Sequence, residues 1–470
     1  MLSQTTRLTK SLSLNFIRII LQISGNVDII VVELFQTMQG GIRIIILYHL
    51  NQETDLLHFQ HGELGATLRA SEVKPKLDRF LIRLLGGEEA VKQKHPDWLI
   101  GDHLAFDYKM SFIGEGIPTS HDTENKIRSL TERGIGFRSS IPKSYFGNMG
   151  RFNRGDIELI RETFKETMHY PNGVNMKIIS FNSQLLEYID EHISAFFLIH
   201  NFGTRQNKGF GSFTVDGRNG QPLTRNAQGI LLKYSKLFNP RYFYLYAVDY
   251  SGLQKVDLME EARWIYSLLK SGINRGSTRY SRAYIYQYFH NKKIRNEKAW
   301  MKQQDIAPIR NRDNVIKQHE NDLCRIFSDD NSRYVRALLG LCDRIEYLSD
   351  LQNTRIKWPI TITAEDTNIK RCASPITFKI VGRKLYILVF EPHTGILGKE
   401  FLFEGIDPAT SNKCSGRISV PVSNEFNMKE LFDGFKNYIN ANGAAVRNCR
   451  AIDAGNFLAG TQNHEIMEVR

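Results

Sequence analysis

The chain holds 470 residues, 41% apolar and 24% charged, with a formal net charge of +12. That balance excludes a disordered or fibrous chain and leaves room for about two to four domains. The charge favours a polyanionic partner, and the 19 tyrosines and 28 phenylalanines supply rings for base stacking as well as for core.

Residues 1–40 carry little pattern. Ile, Leu and Val are frequent over 15–35, but Arg18, Gln22, Asn26, Asp28 and Glu33 interrupt them. The stretch is too polar to span a membrane and too broken for a secretion signal. Gly40 and Gly41 then introduce a β-branched run, 42–50, that reads as a buried strand. Residues 65–85 read as a helix, with Pro75 at its start or at a kink and the cations Arg69, Lys74, Lys76 and Arg79 along it. His58 and His61 precede it. Residues 103–113 alternate and read as a second strand. The long connection 114–155 interleaves Lys126, Arg128, Arg133, Arg138, Lys143, Arg151 and Arg154 with Phe137, Tyr145, Phe146 and Phe152. That mixture suits single-stranded RNA. Residues 157–168 read as a helix and 174–181 as a strand. A helix over 183–200 follows, with Leu185, Leu186, Ile189, Ile193, Phe196 and Phe197 at helical spacing, then a strand at 211–215. The order is βαββαβ, that of a ferredoxin-like domain.

Further on, 230–234 and 241–248 read as strand and 257–348 as largely helical, in segments 258–269, 281–289, 297–304 and 334–348. Tyr280, Tyr284 and Tyr288 share one helical face, and such a stripe is more often core or interface than a base-stacking ladder. Strands return over 356–363, 369–381 and 385–390. The remainder reads as a small helical or mixed tail with a helix at 428–440. The five cysteines, Cys324, Cys342, Cys372, Cys414 and Cys449, form no C-x-x-C pair. No metal site or cofactor is expected, and a reducing, cytoplasmic setting fits.

The helix at 183–200 and the strand at 211 are joined by the most distinctive stretch. It holds Gly203, Gly209 and Gly211, the cations Arg205 and Lys208, the amides Gln206 and Asn207, and the hydroxyls Thr204 and Ser212. Glycine permits positive φ and close approach of another chain, and successive exposed amides make an anion-binding concavity. The ligand this suits is a phosphate backbone; a plain solvated turn is the alternative. Known phosphate loops do not fit. Five residues separate Gly203 from Gly209, and Phe210 stands where a P-loop needs lysine. A dinucleotide loop would follow a strand and open a helix, the reverse of this order.

The stretch resembles the glycine-rich loop of the RAMP superfamily, the RNA-binding subunits of CRISPR effector complexes. In that family a glycine, a basic segment and a Gly-hydrophobic-Gly triplet follow the second helix of a ferredoxin-like domain. Residues 66–70 resemble the small-residue lead into the family's first helix. Arg371-Cys-Ala-Ser-Pro375 resembles its Arg-x-Ala-Ser-Pro element. The resemblance covers 42–250 and 355–390. It implies an α+β fold with a ferredoxin-like RAMP core at 41–250 that strands at 351–400 complete. It says nothing of the N-terminal extension at 1–40, the large helical insertion at 251–350 or the tail at 401–470, which are read from the sequence pattern alone. It implies guide RNA as ligand, with target RNA also bound in the subunits that cut it, and other subunits of a type III-like complex as partners. The expected groove comprises Gly203, Arg205, Lys208, Gly209, Gly211 and Ser212, lined by Arg69, Lys74 and Lys76, with His58 and His61 nearby.

Catalysis stays open. Some family members cut target RNA with an aspartate; Asp102, Asp107 and Asp122 are candidates here, and no motif singles one out. Guide-processing relatives use a histidine as general base on the 2′-hydroxyl, and His58 and His61 stand in the corresponding place. Two loop histidines are more often surface residues or RNA hydrogen-bonders. A third reading is a non-catalytic scaffold that docks other proteins through the helical block.

Overall fold

The computed structural model describes residues 45–57, 68–101, 103–118, 167–224, 226–238, 242–251, 258–275, 279–304, 331–348, 357–366, 368–369, 372–406, 413–447 and 465–469. Strand β1 (Ile45–Gln52) alternates, with Ile46, Tyr48 and Leu50 buried. Helix α1 (Ala70–Leu84) buries Val73, Leu77, Phe80 and Leu81, and Pro75 lies inside it rather than at its start. Strand β2 (Lys109–Ile113) is shorter than the alternation at 103–113 suggests. Strand β3 (Val174–Ile179) leads into α2 (Ser183–Ile199), capped by the Asn182 side chain, which accepts from Leu185 N at 2.9 Å. Strand β4 (Phe213–Arg218) completes the set. The sheet order is β2-β3-β1-β4 with antiparallel neighbours throughout, and the two-residue strand Gln221–Pro222 adds an edge beside β4. Helices α1 and α2 share one core with the buried face of this sheet. Residues 167 and 168, the end of the expected helix 157–168, instead lie in a short strand, Thr167–His169, that pairs with Leu56–Leu57.

Helix α3 (Ala227–Ser235) occupies the run read as strand at 230–234. A short apolar run does not distinguish helix from strand. The cap does: Asn226 Oδ1 accepts from Gly229 N at 3.0 Å. Next come β5 (Tyr244–Asp249), α4 (Leu258–Lys270), α5 (Tyr284–Asn291) and α6 (Glu297–Gln303). The expected helix at 334–348 is a 3₁₀ turn, Val335–Leu339, that ends at Gly340 (φ 101) and gives way to strand β6 (Arg344–Leu348). Tyr280 sits in a short hairpin strand, while Tyr284 on α5 stacks on Phe435 and Tyr438 and Tyr288 is buried, so these two tyrosines of the helix pack against protein.

The later strands are β7 (Lys357–Ala364), β8 (Ile376–Val381), β9 (Lys384–Val389), β10 (Glu400–Ile406) and β11 (Lys413–Ser419). Helix α7 (Met428–Arg447) and strand β12 (Met467–Glu468) follow. Strands β8 and β9, expected to complete the first core, pair instead with β5 in a second sheet, β8-β9-β5-β12. The segment β5-α4-β8-β9-α7-β12 therefore repeats the element order and strand order of the first unit. Residues read as a tail supply α7 and β12 to this unit, and β10 and β11 to a third sheet, β6-β7-β10-β11. The block read as a helical insertion supplies α4 to the second unit and β6 to the third sheet.

The second sheet is buried on both faces. Leu245, Ala247, Tyr386 and Leu388 join the core of the first unit, while Tyr246, Val248, Leu385 and Ile387 join the second. That is why β5 and β9 read as continuous apolar runs rather than alternating ones. No helix among the described residues is long and apolar enough to cross a membrane.

Candidate nucleic-acid interface

The glycine stretch forms a tight turn between α2 and β4. Gln206–Lys208 make one 3₁₀ turn, flanked by Arg205 (φ 56) and Gly209 (φ 95) in the left-handed region. Gly203, Gly209 and Gly211 all have positive φ and all are buried. A Cβ at Gly211 would lie 2.0 Å from Phe202 O, and one at Gly203 2.3 Å from Leu57 O. Glycine is required here by both conformation and space.

The amides of this turn face the protein. Gly203 N donates to Glu72 Oε1 (2.8 Å), Thr204 N to Leu57 O (2.7 Å), Gly211 N to Asp55 O (2.9 Å) and Ser212 N to Thr54 Oγ1 (2.9 Å). Gly209 N closes the 3₁₀ turn on Gln206 O (3.2 Å), and Ser212 Oγ donates to Ile380 O (2.7 Å). The main-chain cradle expected at Gly203, Gly209, Gly211 and Ser212 is therefore turned inward. Close packing of the turn against 54–57 and β8 consumes the donors that would have met a phosphate.

The cations expected beside the turn divide into two groups. Lys76 reaches it: its Nζ donates to Gln206 Oε1 (2.8 Å), Asn201 O (3.3 Å) and Glu72 Oε1 (2.9 Å). Lys74 does not. It is held by Asp78 (2.9 Å) and Phe106 O (2.8 Å), with Nζ 4.0 Å above the Tyr108 ring. Arg69 is the N-cap residue of α1. Asn207 Nδ2 donates to Ser374 O (2.7 Å), so the glycine stretch and the Ala-Ser-Pro segment touch. His58, His61, Asp102, Asp122 and Arg371 lie outside the described residues; Asp107 is exposed just before β2.

Lys208 stands apart. Burial, followed by the nearby charges of Arg205, Lys270 and Arg263, draws its pKa down to about 8. Its ammonium has no hydrogen-bond or ion-pair partner among the described residues, and no carboxylate figures among the charges acting on it. Arg263 and Lys270 lie seven residues apart on α4, hence on one helical face. Arg263 pairs with Glu260, and Lys270 Nζ donates to Leu339 O (3.0 Å) and Gly340 O (2.6 Å). Sequence reasoning passed over both residues; their seven-residue spacing on one amphipathic helix was the available signal. Two cations from the first unit and two from the first helix of the second thus meet at the junction of the units.

Behind this cluster the junction is fixed by Lys379 of β8, which is fully buried. Its Nζ donates to Phe197 O (2.6 Å), His200 O (3.2 Å), Asn201 Oδ1 (3.1 Å) and Phe213 O (3.0 Å). Burial lowers its pKa to about 7. Asn201 Nδ2 in turn donates to Gln206 O (2.7 Å) and Phe378 O (2.8 Å). No group of three or more His, Cys, Asp or Glu among the described residues could hold a metal ion.

The family model for the Cmr1 N-terminal domain matches residues 44–273, and that for the Cmr1 C-terminal domain matches residues 280–452. The chain belongs to the Cmr1 family. Membership makes it a CRISPR-associated, RAMP-type subunit of a type III effector complex. All four cations of the junction cluster fall within the Cmr1 N-terminal match, whereas Lys379 falls within the C-terminal one. Among solved structures, the crystal structure of Cmr1 from Pyrococcus furiosus in its apo form is similar over 74% of this chain and 88% of that chain, at 10% identity and a TM-score of 0.33. No curated protein sequence matches the chain.

Proposed function

We propose that this Cmr1-family subunit holds the backbone of RNA, guide RNA in the first place, at the junction of its two βαββαβ units. Side-chain cations hold it, not main-chain amides. Each unit is read as a ferredoxin-like RAMP core, a reading supported by the shared strand order and by helices on one face. The observation that carries the proposal is Lys208, a partly buried ammonium with three cationic neighbours and, among the described residues, no acceptor. Gathering like charges at close range costs free energy. A phosphate at Lys208 offsets that cost by supplying the missing counter-charge and acceptor oxygens. The turn contributes rigidity: its glycines let Arg205 and Lys208 project from a backbone bolted to both units.

The test is equilibrium binding of single-stranded RNA to the Arg205→Ala/Lys208→Ala variant across a range of salt concentrations. Loss of two phosphate contacts should weaken binding for every sequence and flatten the log–log salt slope by about 1.4. An unaltered slope would reject the junction as the RNA site.

A further inference from the structure

The two units share an architecture but differ in what lies over the sheet face opposite their helices. In the second unit that face carries Leu245, Ala247, Tyr386 and Leu388, and it is covered by the first unit, with α3 packed against β5. In the first unit the same face carries three cross-strand rows: Lys109–Ile179–Ile45, Ser111–Lys177–Leu47 and Ile113–Asn175–His49. None of these side chains is buried. Ile113 is 70% exposed, and Phe181, just beyond β3, is 88% exposed. Ile113 and Phe181 thus lie exposed, and Ile45, Leu47 and Ile179 half-buried, on a face that is a packing surface in the sister unit.

The charges on this face are lopsided. His49 is paired with Asp216 (Nδ1 to Oδ1, 2.5 Å), and its Nε2 meets Asn172 O at 2.9 Å. The ammonium groups of Lys109 and Lys177 have no hydrogen-bond or ion-pair partner among the described residues. Among the described residues the face thus combines aliphatic positions with two unanswered positive charges on neighbouring strands.

We propose that this face docks a protein segment of a neighbouring subunit of the effector complex. That segment is amphipathic, with apolar side chains to cover Ile45, Leu47, Ile113, Ile179 and Phe181 and carboxylates to meet Lys109 and Lys177. It occupies the position that α3 takes over the second sheet. RNA fits the face less well. Sheet-face RNA recognition relies on several aromatic rings presented from the strands for bases to stack on. The three rows present one, His49, which is held by Asp216 and Asn172 O, and Phe181 lies beyond the strand end. An apolar patch rimmed by charge is the general signature of a protein interface.

The experiment uses the whole chain co-expressed with the other subunits of its complex. Two variants are compared with the parent, Lys109→Glu/Lys177→Glu and Phe181→Ser. Particle composition is read by native mass spectrometry, and single-stranded RNA binding is measured on the free chain. A melting temperature equal to the parent's confirms that each variant folds. The proposal expects the particle to lose this chain, or to lose affinity for it by at least about tenfold, while RNA affinity and its salt slope stay at parental values. Three results overturn it: intact particles with both variants, RNA binding lost with assembly retained (the face is then an RNA surface), or both properties lost together. Because the junction cluster is untouched, failure here leaves the RNA reading standing, and the converse also holds.

Discussion

The Nζ of Lys379 lies 2.6 Å from the carbonyl oxygen of Phe197, in the last turn of α2. One buried ammonium from the second unit thereby satisfies carbonyls at the C-terminal end of a helix in the first, where helix carbonyls have no intrahelical partner. Replacing it by methionine keeps the bulk and leaves four oxygens without a donor. Lys379→Met should lose roughly 2–5 kcal/mol of stability, read as a lower denaturant midpoint. A change under about 0.5 kcal/mol would show that the ammonium is not a tie between the units.

The same lysine makes stability depend on pH. Its folded-state pKa, about 7, lies below the ordinary 10.5. Between those values the unfolded chain binds the extra proton, so stability should rise with pH from about 7 to about 10.5. Lys208, lowered to about 8, adds in the same direction. Denaturation at a series of pH values should give a smaller rise in Lys379→Met than in the parent; identical slopes would contradict the assignment.

RNA binding should titrate through Lys208. A phosphate favours its charged form, so binding takes up a proton above about pH 8, and affinity should fall as pH increases beyond that point. Lys208→Arg keeps the charge throughout. It should bind with near-parental affinity at pH 7 and lose most of the decline by pH 9. A parental decline in that variant would place the titrating group elsewhere.

The glycine turn gives a contrast between two substitutions. At Gly211 a methyl group would meet Phe202 O at 2.0 Å, whereas at Gly220 nothing lies within 4 Å, although both have positive φ. Gly220→Ala should cost about 1 kcal/mol, from backbone strain alone. Gly211→Ala should cost several-fold more, because the backbone itself has to move. Equal shifts in melting temperature for the two variants would mean that the turn is looser than its packing implies.

Glu297 offers a control outside the cation cluster. It is fully buried on α6, accepts from Tyr286 OH (2.8 Å) and Val335 N (3.1 Å), and pairs with Arg336. Glu297→Gln leaves the shape and removes the charge opposite Arg336. It should lower stability by roughly 2–4 kcal/mol and leave the salt slope of RNA binding at its parental value. A changed slope would mean that the junction senses this network.

The first unit was legible because its elements are strongly periodic. The alternation of Ile46, Tyr48 and Leu50, and the spacing of Leu185, Leu186, Ile189 and Ile193, leave few alternatives, and both elements lie near where the patterns put them. The second unit was hidden because its six elements are spread from Tyr244 to Glu468, with the third sheet threaded between them. Its strands are also buried on both faces, which erases the alternation that identifies a strand. Phe401 and Phe403 of β10 did alternate with Leu402 and Glu404, a signal passed over in residues read as a tail. At the candidate site, composition singled out the turn and two of the four cations that gather there, Arg205 and Lys208. It could not show which way the amides point, because that depends on Leu57, Asp55 and Glu72 arriving from elsewhere in the chain. Positive φ at the three glycines was legible; the reason for it, close packing rather than phosphate, was not.

The pairing of Ala247 with Met467 matters for how the molecule is made. Ribosomal synthesis delivers β1 to β4 first, and those strands can close their sheet at once. Strand β5 emerges next and has to wait for β9 on one edge and β12 on the other, with Tyr246 and Val248 unshielded meanwhile. Nascent chains paused in that interval should be the ones that chaperones hold and that aggregate when overproduced.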